Sequence, residues 1–318
     1  MHSSSPIPDS LPTPIGLGLA ALGRPGYINL GHGADLAGET DVGAMERRAH
    51  AVLDAAYAGG VRYFDAARSY GRAEAFLATW LAARGLGRGD VTVGSKWGYS
   101  YTADWRVDAP VHEVKDLSVE TLRRQSAETL DLLGPALRLY QIHSATLDSG
   151  VLDDAGVRGE LDRLRERGIS IGITVTGPGQ AETIERALEV GGFDTVQATW
   201  NLLERAAGPA LAAAHAAGLG VIVKEAVANG RLTARGDVPE LVEAARDVGT
   251  TPDALALAAV MAQPWCDVVL SGAATAEELE SNLQAAAVNA QPVVTELLRV
   301  LGEDSGAYWQ TRAELAWN

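Results

Sequence analysis

Short apolar runs and longer amphipathic runs take turns along almost the whole chain. The apolar runs are "IGLGLA" (15–20), "VRYFD" (61–65), "VTVGSK" (91–96), "LRLYQIH" (137–143), "SIGITV" (170–175), "TVQAT" (195–199), "GVIVKE" (220–225) and "DVVLSG" (267–272). Each is short and rich in β-branched or other apolar residues, which reads as a strand. The segments between them, near 44–58, 72–84, 118–133, 156–167, 178–190, 204–217, 252–262 and 275–286, are rich in Ala, Leu, Glu and Arg with helical apolar spacing. Eight strand–helix units in succession predict an α/β fold, a closed (β/α)8 TIM barrel, because a doubly wound open sheet usually has fewer strands. Further helices are expected at 238–248 and, near the C-terminus, at 292–303. With no repeat of solenoid period and no low-complexity linker, a single barrel domain over 15–318 is the simplest account. Residues 1–14, "MHSSSPIPDSLPTP", are polar and proline-rich and lack the basic start and apolar run of a secretion signal, so a disordered tail is expected there.

Charge and cysteine usage narrow the function classes. A net charge of −15 argues against a nucleic-acid or anionic-membrane surface, either of which needs clustered Lys and Arg. No apolar stretch approaches the roughly 20 residues needed to span a bilayer. The single cysteine, Cys266, rules out an intrachain disulfide and suits a reducing, cytoplasmic setting. His32, His50, His112 and His215 are scattered, and no His or Cys pair has metal-ligand spacing, so no metal site is expected.

In a barrel of this kind chemistry sits at the carboxyl ends of the strands. Those ends carry Asp65, Lys96, His143, Thr174, Gln197, Lys224 with Glu225, and Ser271, above mostly apolar strand positions. One polar strand end alone is more often a helix cap or a satisfied core histidine. Seven facing one mouth describe a site. Asp65, Lys96 and His143 end three successive strands, and Tyr70 follows Asp65 by five residues, with Gly71 relieving crowding where the loop turns into a helix. A tyrosine is a poor acid near neutrality, its ordinary pKa being about 10, and a neighbouring ammonium lowers it. Lys96 is expected to supply that ammonium, Asp65 to keep it charged, and His143 to donate a hydrogen bond to a substrate oxygen or relay a proton. The set is a proton donor aimed at a carbonyl.

These residues resemble the aldo-keto reductase superfamily. "YFDAARSYG", "GSKWG" and "LYQIH" match its three central motifs in order and approximate spacing. "DTVQATWNLLER" is similar to the segment carrying its glutamine, and "SGAATAEELESNL" to its cofactor-binding strand and helix, so the likeness runs from about residue 15 to 290. The resemblance implies the barrel already inferred and hydride transfer between a nicotinamide dinucleotide and an aldehyde, ketone or sugar hemiacetal. It makes Tyr70 the general acid–base, Lys96 its partner, Asp65 the partner of Lys96 and His143 the orienter of the substrate oxygen. Thr174 and Gln197 match positions that hold the nicotinamide carboxamide, and Asn282 the residue that contacts adenine. Departures are informative. Thr174-Val175 stands where the family often has Ser-Asn, and Lys224 where an aromatic commonly stacks on the nicotinamide. Where many members hold the 2′-phosphate with Lys and Arg, this chain has Gly272 and Glu278. A glutamate repels a phosphate but can bond a free ribose hydroxyl, which favours NAD(H); family habit favours NADP(H), and both stay open.

The loop 97–116 holds Trp97, Tyr99, Tyr101 and Trp105, which are expected to wall a substrate pocket for a small carbonyl or sugar. Tyr27 and His32, in the long connection after the first strand, are within reach of the same mouth. Two other readings compete with the reductase. One is a cofactor-binding regulatory protein with little turnover, motivated by Lys224; the other is a non-redox enzyme using Lys224 and Glu225.

Overall fold

The computed structural model describes residues 6–8, 11–289 and 291–318, and in it eight parallel strands close on themselves. In chain order the strands are β1 (Ile15–Gly18), β2 (Tyr63–Asp65), β3 (Thr92–Trp97), β4 (Tyr99–Tyr101), β5 (Glu113–Lys115), β6 (Leu137–Ala145), β7 (Ser170–Val175), β8 (Thr195–Thr199), β9 (Gly220–Lys224) and β10 (Val268–Ser271). The barrel runs β1, β2, β3, β6, β7, β8, β9 and β10, and β10 pairs back onto β1 with Leu17 opposite Ser271. The remaining two, β4 and β5, form an antiparallel hairpin outside it.

Helices wrap the barrel because each strand is buried on both faces and each following segment has one apolar face. They cover Val42–Ala58, Ala73–Arg84, Val119–Leu133, Ala155–Glu166, Gln180–Val190, Gly208–Ala216, Pro252–Met261 and Ala276–Leu283, each near its expected place. Several start at a side-chain cap: Asp41, Ser118, Asp154, Thr251 and Thr275 each accept from the backbone N–H three residues on. Such a cap is worth about 1 kcal/mol and fixes where the preceding loop must end. The main core lies between barrel and helices, and a second cluster, with Leu202, Leu241, Leu255 and Trp309, lies under the added helices Pro239–Asp247, Gln291–Val300 and Ser305–Ala313. No helix among the described residues is long and apolar enough to cross a membrane.

The structure differs from expectation in four places. Residues 1–5, 9 and 10 of the expected tail lie outside the described residues, but the rest of that segment is not loose. Ile7 is 5% exposed and plugs the amino end of the barrel among Tyr63, Leu139, Ile222 and Val268, because an apolar side chain there closes the barrel floor. The 97–116 loop contains the β4–β5 hairpin, the connection after β1 contains the short helix His32–Leu36, and Ser305–Ala313 is a helix that the spacing did not reveal.

Candidate active site

Period-two alternation decides which side chains enter the barrel. On β2 it sends Tyr63 and Asp65 inward; on β6 it does the same for Gln141 and His143. Asp65 and Lys96 are each about 1% exposed, and the Lys96 ammonium is paired directly with Asp65 Oδ2. The same Nζ donates to the Ala66 carbonyl at 3.1 Å and to the Tyr70 hydroxyl at 3.3 Å. Asp65 Oδ1 accepts from the Tyr63 hydroxyl at 3.1 Å, Gln141 Nε2 at 3.1 Å and Gln197 Nε2 at 3.3 Å. Both carboxylate oxygens are therefore satisfied, as a charge buried this deeply requires. Tyr63 and Gln141 are the inward neighbours two positions before Asp65 and His143, a signal present in the sequence but not read.

Tyr70 sits on the turn after β2. Gly71 follows it with φ +58°, and a Cβ there would lie 2.3 Å from the Gly23 carbonyl oxygen, so only glycine lets the turn lie this close. The Tyr70 ring meets His143 edge-on, 5.6 Å between centroids at 83°. Tyr99, on β4, covers the other side of His143 at 4.9 Å. The structure thus brings Asp65, Tyr70, Lys96 and His143 into one cluster.

Electrostatics there are set mainly by burial. The Tyr70 phenol is held well above its ordinary value by burial and by Asp65, with Arg24 opposing. This departs from the expected lowering: the lysine charge is already engaged by Asp65, and the phenol stays protonated. Burial, followed by Lys96 and Lys224, pushes His143 well below the usual histidine value, so its imidazole is neutral. Lys224 donates to Thr199 Oγ1 at 2.7 Å; burial pushes its amine down to about 8, against the pull of Glu225. Burial raises Glu225, but Arg312 and Lys224 outweigh it and hold the carboxyl at about 2. Arg312 reaches it by a fork, Nε at 2.9 Å and Nη2 at 2.5 Å.

The cluster opens into a cavity of about 300 Å3. Of the expected residues, Asp65, Tyr70, His143, Tyr27, Gln197, Lys224, Ser271 and Gly272 line it. Thr174 does not: its Oγ1 accepts from the Ser144 N–H at 2.7 Å, fully buried, and Thr176 faces the cavity instead. Three aromatics of the 97–116 loop also fall elsewhere. Trp97 is wholly buried in the strand–helix core, because β3 runs one residue past inward-facing Lys96 and alternation turns Trp97 outward. Trp105 packs edge-on against Phe76 and donates to the Thr40 carbonyl, and Tyr101 is half-buried on β4 away from the cavity. Only Tyr99 of that group reaches it. Arg24, Asn29, Glu113, Arg312 and Trp317 line the wall unanticipated. The aromatic-rich ending "AYWQTRAELAWN" was the one signal for the last two.

A second cavity, also about 300 Å3, shares Asn29, Val227 and Gly272 with the first. His32, Glu278 and Asn282 line this one. Asn282 Nδ2 donates to Ser271 Oγ at 2.8 Å, Glu278 Oε2 accepts from the Ala274 N–H at 2.8 Å, and Arg235 bridges to Asp35 and lies 3.4 Å from Glu278. His143 Nδ1 and Asn229 Oδ1, on residues lining the first cavity, are buried without a protein partner. Unpartnered polar atoms and the start of the helix Ala276–Leu283 suit a long polar molecule, so the residues present fit a dinucleotide. Among the described residues no group of His, Cys, Asp and Glu could hold a metal ion.

Fold and site together define a (β/α)8 protein whose strand ends gather a phenol, an ammonium, a carboxylate and an imidazole at one cavity. The chain belongs to the aldo/keto reductase family, whose model matches residues 15–298; the family implies an oxidoreductase that uses a nicotinamide cofactor on small carbonyl compounds. It is similar to an aldo-keto reductase structure from Pseudomonas aeruginosa at 26% identity and TM-score 0.64, covering 86% of this chain and 89% of that one. A second structure from the same organism gives 25%, 0.65, 90% and 93%. The holo form of an aldo-keto reductase from Bacillus halodurans, 19% identical, shares the fold at TM-score 0.72 over 96% of this chain and 98% of that one. No curated protein matches the chain.

Proposed function

We propose that the protein transfers a hydride between a nicotinamide dinucleotide and an aldehyde, ketone or sugar hemiacetal, with Tyr70 as general acid–base. The observation that carries this is the Tyr70 hydroxyl, 3.3 Å from the Lys96 ammonium, edge-on to His143 and on the cavity wall. In the reductive direction Tyr70 donates its proton to the substrate oxygen as charge develops there. Lys96, held by Asp65, stabilises the phenolate that results. Neutral His143 has one N–H to offer the same oxygen and fixes its direction. The bound dinucleotide, when present, supplies or accepts the hydride. Gln197, Ser271, Gly272 and Asn282 are the residues that would hold it.

The same reading assigns the cofactor as NAD(H). Glu278 is anchored by the Ala274 N–H and lies beside Asp35, and Arg235 is shared between them, so a 2′-phosphate would meet two carboxylates against one arginine. Fluorescence titration should give an NAD(H) affinity at least about tenfold above that for NADP(H), and Glu278→Arg should reverse the order. Equal affinities would sink the assignment. Lys224 and Glu225 are committed to Thr199 and Arg312, which disfavours a separate acid–base reaction through them.

The whole reading is tested by nicotinamide absorbance with each dinucleotide and a panel of aldehydes, ketones and sugars. Tight dinucleotide binding with no turnover over that panel would favour a regulatory protein instead.

A further inference from the structure

Lys96 is engaged by Asp65 and the Ala66 carbonyl, and it is not the only cation that Tyr70 faces. Arg24, in the connection after β1, is 2% exposed, and its Cζ lies 5.3 Å from the Tyr70 ring centroid. The Tyr27 and Trp317 rings enclose the same guanidinium at 5.0 and 4.8 Å, and Trp317 is itself stacked on His112 at 3.9 Å. Arg24 Nη1 donates to the carbonyl of Ser69, the residue before Tyr70, at 3.1 Å, and to Glu113 Oε1 on β5 at 2.6 Å. Arg24 Nε is buried without a partner. One residue back, the Gly23 carbonyl accepts from the Arg72 N–H at 2.7 Å, so the turn carrying Tyr70 is tied down on both sides. A charge sealed among rings acts over several ångströms far more strongly than one in water.

We propose that Arg24 is a positioning residue for Tyr70: through Ser69 it fixes the turn that carries the phenol, and its charge, offset by Glu113 on the β4–β5 hairpin, sets how readily Tyr70 releases its proton. The catalytic consequence rests on Tyr70 being the proton donor; the effect on the phenol does not. The groups facing Tyr70 are Asp65 from β2, Lys96 from β3, His143 from β6, Glu225 after β9, Glu113 from β5, and Arg24 and Tyr27 from the first connection. Among them Asp65, Glu113 and Glu225 oppose phenolate formation, whereas Arg24 favours it. Removing Arg24 and removing the charge of Glu113 must then act in opposite directions. A merely structural ion pair predicts the same direction for both.

The test is fluorine NMR titration of protein containing 2,3,5,6-tetrafluorotyrosine, whose phenol is intrinsically far more acidic so that a raised midpoint falls within range, with the Tyr70 signal assigned by its loss in Tyr70→Phe, up to about pH 11. Glu113→Gln, which is isosteric and keeps the hairpin, should lower the Tyr70 midpoint by about one pH unit; Arg24→Met should raise it; Arg24→Lys should fall between Arg24→Met and wild type. A midpoint that is the same in wild type and Glu113→Gln overturns the proposal, even if Arg24→Met does not fold. Turnover of para-nitrobenzaldehyde with NADH by Tyr70→Phe is measured alongside. Moved midpoints with undiminished Tyr70→Phe turnover would leave this inference standing and remove the proton-donor reading.

Discussion

Tyr70 is protonated because burial outweighs the cations around it, and that suits a group whose first act is to donate. Tyr70→Phe keeps the ring, its contact with His143 and the packing of the turn while removing the proton. It should lower kcat by about a thousandfold with dinucleotide Kd unchanged, read from steady-state rates and fluorescence titration. Lys224 makes a pH-dependent prediction of the same scale. Burial holds its amine at about 8, so the cavity carries one more positive charge below that pH than above it. Binding of an anionic dinucleotide should weaken as pH rises through about 8, and Lys224→Met should remove that dependence. A pH-independent Kd in wild type would show that Lys224 does not face the bound molecule.

At the scale of elements, two devices hold the site in shape. One is the turn at Gly71, where the left-handed backbone and the 2.3 Å approach to Gly23 leave no room for a Cβ. Gly71→Ala must push the turn outward and displace Tyr70. It should lower kcat by about a hundredfold, well beyond its effect on thermal stability. The other is the helix Ser305–Ala313, latched to the end of β9 by the Arg312 fork on Glu225. Glu225 follows Lys224 with φ +56°, a conformation that needs such support. Arg312→Ala leaves a carboxylate with 9% exposure, with Lys224 at 3.7 Å and the Thr199 hydroxyl donating at 3.2 Å, and should cost about 3 kcal/mol in denaturant unfolding. The sign with pH follows from a folded value near 2, below the ordinary 4.5. The latch contributes fully above about 4.5 and is lost as pH falls toward 2, so acid unfolding of Arg312→Ala should depend less on pH across that window.

For the molecule as a whole, closure of the barrel makes both ends matter. Ile7 seals the floor, and Ile7→Ala should cost about 2 kcal/mol by chemical denaturation while leaving the mouth, and thus dinucleotide Kd, unchanged. The polar, proline-rich composition around Ile7 hid this, since one apolar residue carries no periodic signal. Trp97 was misplaced for a related reason: whether it faced the pocket or the core hinged on where β3 stopped, and a shift of one residue turns a side chain to the other face. By contrast, Asp65, Lys96 and His143 were legible because strand order and two-residue alternation are local properties of the sequence, and together they force those three ends into one mouth. The chain alone therefore determined the barrel and the polar groups at its strand ends. Which loops would wall the opening was decided only by tertiary packing: Arg24, Glu113, and Arg312 with Trp317 come from three distant segments, and what brings them together is the pairing of buried charges, Arg24 with Glu113 and Arg312 with Glu225, and the packing of Trp317 over Arg24, an energy that no segment carries by itself.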